Sequence, residues 1–195
     1  MNTNTPVPVP SPPHADASKG APGKLELVQR FVNTALPDRA DRIAEPQALA
    51  SWLVKFEMLT PGVDVSQADL DVAQSLRRLL RKAIAKDLDA AECQSLNELA
   101  DHLRISVGFG ISGLPALQED KSCVRGALAQ FLAVVASAEL RGEWRRLRMC
   151  NNPDCGRTFY DRTKNGLGVW CSMLTCGNKH NARKYRTRKS DELRP

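Results

Sequence analysis

CNNPDCGRTFYDRTKNGLGVWCSMLTCGNKHNARKYRTRK (residues 150–189) holds four of the chain's six cysteines in two pairs of equal spacing, Cys150-x4-Cys155 and Cys171-x4-Cys176, separated by fifteen residues. Two close pairs with a hairpin's length between them can offer four thiolates to one tetrahedral ion. Zinc is the expected metal, because four sulfurs saturate it and leave it chemically quiet, whereas iron–sulfur clusters are commoner at other spacings. Asn151-Asn152-Pro153-Asp154 supplies turn chemistry inside the first pair, and Phe159, Tyr160 and Trp170 are the few large apolar side chains available for burial. A module of about 45 residues cannot fold on so little apolar area, so metal binding would supply much of its folding free energy. A saturated zinc has no open position for water, and the expectation is a structural site rather than an enzyme. Disulfides or unrelated free thiols are the alternatives, with His180 a spare ligand and oxidation of zinc thiolates a further use of the same sulfurs.

Immediately after Cys176, six of the eleven residues from Lys179 to Lys189 are basic and none is acidic. In a helix starting near Cys176, Asn178, Ala182 and Tyr185 share one face, expected to turn toward the metal. Lys179, Arg183 and Arg186 align on a second face, and Lys184 and Arg188 on a third. Lys179, Arg183, Lys184, Arg186, Arg188 and Lys189 are therefore the candidate nucleic-acid contacts. Their mutual repulsion would be relieved against phosphates, with counterion release driving affinity. The charge is concentrated here: residues 1–140 hold 14 Lys/Arg against 17 Asp/Glu, and residues 141–195 hold 14 against 5. DNA is the expected partner. RNA is the alternative if Tyr160 or Trp170 can stack on bases, an acidic protein is another, and a solvated basic end is the plain reading of such a run.

Outward from this segment the chain turns helical. Residues 1–23 carry six prolines and no apolar period, as a disordered tail would. Leu25, Val28, Phe31/Val32 and Ala35 set a first helix that Pro37 ends, and Pro46 opens a second with Leu49, Trp52/Leu53 and Phe56. Ser66 with Asp69 and Asp89 with Glu92 are capping signatures for a third and a fourth. The third carries Leu70, Ala73, Leu76 and Leu79/Leu80, with Arg77, Arg78, Arg81 and Lys82 expected outside. Ser122 is placed to cap a fifth, the most apolar, with Cys123 as a buried thiol. Between the last two, residues 106–115 are glycine-rich and predict a hairpin or loop. Gly108-Phe109-Gly110-Ile111-Ser112-Gly113 formally spells a dinucleotide fingerprint, but a helix precedes it and Leu114-Pro115 follows, so that site is not expected. His102 and His14 have no partners in sequence. No run approaches the roughly 20 apolar residues that span a bilayer, and no secretory signal opens the chain, so a cytoplasmic protein with no membrane partner is expected.

The predicted fold is thus mainly α: a helical domain over residues 24–140, and a small treble-clef-like zinc finger of hairpin and basic helix over 141–195. Cys-x4-Cys, the aromatic pair with Asp161, Trp170-Cys171 and Cys176-Gly177-Asn178 followed by basic residues resemble the CGNR zinc finger. Leu27-Val28 through Asn33-Thr34, Leu49-Ala50-Ser51-Trp52-Leu53 and Leu76-Arg77-Arg78-Leu79-Leu80 resemble the associated ABATE domain. The resemblance covers nearly everything from residue 24 and implies a bacterial, stress-linked transcription regulator that binds DNA through the finger. One position departs from the family pattern: its terminal arginine is Lys179 here, which keeps the charge and loses the planar fork that grips guanine or phosphate with two bonds.

Overall fold

A computed structural model describes residues 20–109, 111 and 113–192; the tail expected over 1–23 lies outside them as far as residue 19. Order begins before Lys24, with Ala21 buried in the core and Arg162 donating to the Gly20 carbonyl at 2.7 Å. Five helices follow: α1 (Leu25–Val32), α2 (Pro46–Lys55), α3 (Gln67–Ala85), α4 (Ala90–Leu103) and α5 (Val124–Leu140). Each forms where the apolar spacing placed it, though α1 ends at Val32, short of Ala35, and α2 ends at Lys55, before Phe56. Both capping boxes close, Ser66 with Asp69 at α3 and Asp89 with Glu92 at α4, so each pair satisfies two of the orphan donors of a helix start. The core sits where α1, α2 and α5 meet. Phe31 stacks on Phe131 with centroids 4.2 Å apart and Trp52 tilts against both, burying the largest apolar area where three helices converge.

Side chains differ from expectation at two places, the start of α5 and the basic face of α3. Cys123, not Ser122, caps α5: its sulfur accepts the Gly126 N–H at 3.4 Å and its thiol lies 3.3 Å from Asp120. Ser122 instead gives both its N–H and its hydroxyl to Asp120, which moves the cap one residue on. The basic face of α3 is also only half a surface. Arg77 is buried, forking onto both oxygens of Asp41 at 2.7 and 2.6 Å and onto the Thr34 hydroxyl. Arg81 reaches inward to the carbonyls of Val32 and Gly156, while Arg78 and Lys82 bind Glu92.

The glycine-rich segment is a hairpin, β1 (Ser106–Phe109) with β2 (Pro115–Gln118), Val107 opposite Leu117. After α5 a 3-10 turn (Trp144–Arg146) leads into a second antiparallel hairpin, β3 (Leu147–Met149) with β4 (Thr158–Tyr160). A π-turn (Met173–Gly177) then opens α6 (Asn178–Glu192). No helix among the described residues is long and apolar enough to cross a membrane.

The second hairpin rests on the helical body. Leu147 is buried in the helical core, with Met149 and Tyr160 packed against it. Asn33, just past α1, behaves as a piece of strand: its carbonyl accepts the Thr158 N–H and its amide donates to the Thr158 carbonyl, both at 2.8 Å. Asn33→Ala strands the buried Thr158 N–H and leaves the Thr158 carbonyl with the longer bond from the Gln29 amide at 3.3 Å, and is expected to cost about 2–3 kcal/mol. Thermal unfolding should fall by roughly 4–12 °C at this chain length. An unchanged midpoint would show that water serves Thr158 equally well.

Candidate metal centre and basic helix

The hairpin that builds the centre lies one step earlier than the cysteine spacing suggests. Rather than filling the interval between the pairs, it straddles the first pair, with Cys150 following β3 and Cys155 preceding β4. The x4 spacing closes a knuckle at its tip. The Cys150 N–H donates to the Arg157 carbonyl and the Cys155 N–H to the Asn152 carbonyl, each at 2.9 Å.

Chain return to the second pair depends on Asp161. Its buried carboxylate accepts the N–H groups of Thr163 at 2.9 Å and Gly168 at 2.7 Å. Burial opposes the charge, but these amide donors and nearby Arg148 win and hold the carboxyl below its usual range. Asn151 then donates to the Val169 carbonyl at 2.9 Å, which brings Trp170 and Cys171 beside the knuckle. Cys176 is presented by the π-turn, its N–H on the Ser172 carbonyl.

The four sulfurs of Cys150, Cys155, Cys171 and Cys176 all lie within 4.8 Å of one another. Cys171 is 3.6 Å from both Cys155 and Cys176. Sulfurs about 2.3 Å from a tetrahedral ion are about 3.8 Å apart, whereas a disulfide needs about 2.05 Å. The cluster therefore has the dimensions of a zinc site and not of a crosslink. Its electrostatics agree. Hydrogen bonds from the Cys155 and Cys171 thiols draw Cys150 down to about 2, and the same contact with Cys150 pushes Cys155 up to about 11 and Cys171 higher. Crowded thiols of this kind cannot all ionise unless a cation compensates them. The Asn152 amide lies 3.5 Å from the Cys176 sulfur, a further donor suited to a thiolate. The set is able to bind one zinc ion, which would fill all four positions and act as a staple. His180 stacks on Trp170, centroids 4.8 Å apart, and lies outside the sulfur cluster.

Beyond its first turn α6 leaves the body. Every residue from 178 to 189 is exposed, including Asn178, Ala182 and Tyr185, which were expected to face the metal. The reason is geometric: the π-turn sends the helix axis outward, and side chains such as the His180 ring, against Trp170, and the Arg183 guanidinium reach back to the finger. All six candidate contacts therefore stand on one projecting helix. Arg183 pairs with Asp154 of the knuckle, Arg188 lies 5.9 Å from the Tyr185 ring centre, and Arg186 touches the Ala182 carbonyl. Two further basic residues of the finger are braces: Arg146 donates to the carbonyls of Asp161 and Thr163, and Arg148 to that of Gly166. Asn33 and Arg81 carry no local signal of these roles, since Thr158 and Gly156 lie 125 and 75 residues away, and Asp161 had no expected structural role. The visible signal for Asp161 was that it and Asp154 are the two acids of the basic segment 150–189.

Two family models cover the chain. ABATE, described as "Putative stress-induced transcription regulator", matches residues 25–143, and the CGNR zinc finger matches residues 146–189. No curated protein gives a significant match. With matches running almost unbroken from residue 25 to 189 and a four-sulfur centre in the second of them, the chain belongs to the ABATE family of regulators and carries a CGNR zinc finger.

Proposed function

We propose that the protein is a cytoplasmic, non-catalytic DNA-binding transcription regulator in which the zinc centre fixes the start of α6 and α6 lies along the phosphate backbone. One observation carries this: a helix rooted on the cysteine cluster holds six cations, and every residue from 178 to 189 is exposed. A helix with so little apolar character has no packing reason to project from a fold, and the like charges along it gain compensation against a polyanion. Four thiolates leave zinc no open position, so its part is mechanical. Tyr160 is half-buried against the helical core, and Trp170 is packed on the sulfur cluster and His180. Both rings are engaged within the fold, which favours duplex DNA over stacking on single-stranded RNA.

Lys184→Glu with Arg186→Glu is the sharpest test, since neither residue pairs with the knuckle as Arg183 does. Affinity for a DNA duplex should fall at least about tenfold at low salt, and the slope of log affinity against log salt should drop by about 2. Identical binding by the variant and the parent chain at every salt concentration would remove α6 from the interface.

A further inference from the structure

The two sides of the β1–β2 hairpin differ in chemistry. Strand alternation puts Val107, Phe109 and Leu117 on one side and Ser106, Gly108, Ala116 and Gln118 on the other. The second side is also exposed, but its side chains are small or polar, with Gln118 lying so tightly over Gly108 that a Cβ there would sit 2.2 Å from its amide nitrogen. The first side is bare, with Val107 63% and Phe109 75% exposed, and the tip adds exposed Ile111 and Leu114. A two-stranded hairpin alone is marginal in water, and a contiguous apolar surface of this kind marks an interface.

Charge identifies the occupant. From Ile105 to Gln118 the sequence contains no charged residue, in a chain of net charge +6. Free strand edges are ordinarily protected by charges, lysine above all, and this one carries none. A polyanion finds no cation on the surface, and a charged protein partner finds no counter-charge. A second copy of the same surface meets an uncharged, apolar face and no like-charge repulsion, and two-fold symmetry makes such a face its own complement. Toward the body the surface runs into a cavity of about 570 Å³ lined in part by Leu117, Met58 and Phe131. Lys24, Glu119 and Lys121 charge its border, so the uncharged contact ends at the root of the hairpin.

We propose that Val107, Phe109, Leu117, Ile111 and Leu114 form the contact between two copies of this chain, hairpin face against hairpin face across a two-fold axis. The assembly carries two copies of α6, the arrangement that lets a regulator address two half-sites, although the contact itself is independent of what α6 binds.

Sedimentation equilibrium of the zinc-loaded full chain tests it. The parent chain should sediment at twice its 21.5 kDa mass at micromolar concentration. Val107→Asp should weaken association at least about a hundredfold, because it buries an unpaired carboxylate in the contact. Ser106→Asp, on the polar side of the same strand, should leave the dimer intact. Unchanged zinc content and far-ultraviolet circular dichroism show that both variants remain folded. A parent chain monomeric at all concentrations, a Val107→Asp variant still dimeric, or equal loss in both variants would each overturn the proposal. Duplex binding per chain, measured on the monomeric variant, reports on α6 separately.

Discussion

Replacing Cys171 by serine is expected to reduce bound zinc from one ion per chain to less than about a tenth, and to unfold residues 150–189. Cys171 is the hub of the cluster, with its sulfur 3.6 Å from both Cys155 and Cys176. Structural zinc sites of this type contribute about 10–16 kcal/mol to folding at neutral pH, far more than the burial of Phe159 and Trp170 could replace. The damage should extend past the finger. Leu147 belongs to the helical core, and both Asn33 and Arg81 spend their hydrogen bonds on the hairpin at Thr158 and Gly156. The helical body should therefore persist with a lowered unfolding temperature instead of an unchanged one. Cys93→Ser, at an exposed cysteine far from the cluster in sequence, is the control and should keep its zinc. Metal analysis with limited proteolysis reads both, and a Cys171→Ser variant that retains zinc and a protected finger would refute the ligand set.

Arg77→Met should destabilise the helical body by about 3 kcal/mol, because removing one member of a buried ion pair leaves the other without compensation. Arg77 is 7% exposed, and the variant would leave Asp41 with the Ile43 N–H as its remaining partner among those described. At this length that loss corresponds to a fall of roughly 6–12 °C in the unfolding midpoint. Pairing the change with Asp41→Leu should recover much of the loss, since an apolar replacement of both partners is often neutral. Arg78→Met, which breaks an exposed pair with Glu92, should cost less than about 1 kcal/mol. Equal effects at positions 77 and 78 would show that Arg77 is not the interior residue described here.

These neighbouring arginines show where the sequence was legible. The stripe Leu70, Ala73, Leu76, Leu80 sets α3 by spacing alone, and the two capping boxes fix the starts of α3 and α4, because both signals are local. Whether a charge beside such a stripe lies inside or outside depends on a distant partner: Asp41 for Arg77, Gly156 for Arg81. The cysteine pairs announced the metal for the same local reason, through spacing and turn residues. The placement of the hairpin around the first pair, the role of Asp161 in returning the chain, and the strand-like use of Asn33 arise from backbone hydrogen bonds that leave no periodic trace. The outward course of α6 was hidden differently. Helical spacing shows which residues share a face, and the π-turn at 173–177 decides that this face meets solvent.

Titrating zinc into the chelator-stripped full chain while following its binding to a DNA duplex at several salt concentrations couples the centre to the helix in one experiment. Tight, salt-sensitive binding should appear in proportion to zinc and saturate at one equivalent per chain. Metal-free chain that binds DNA with the same affinity and the same salt slope as the loaded chain would contradict the role given to the four cysteines.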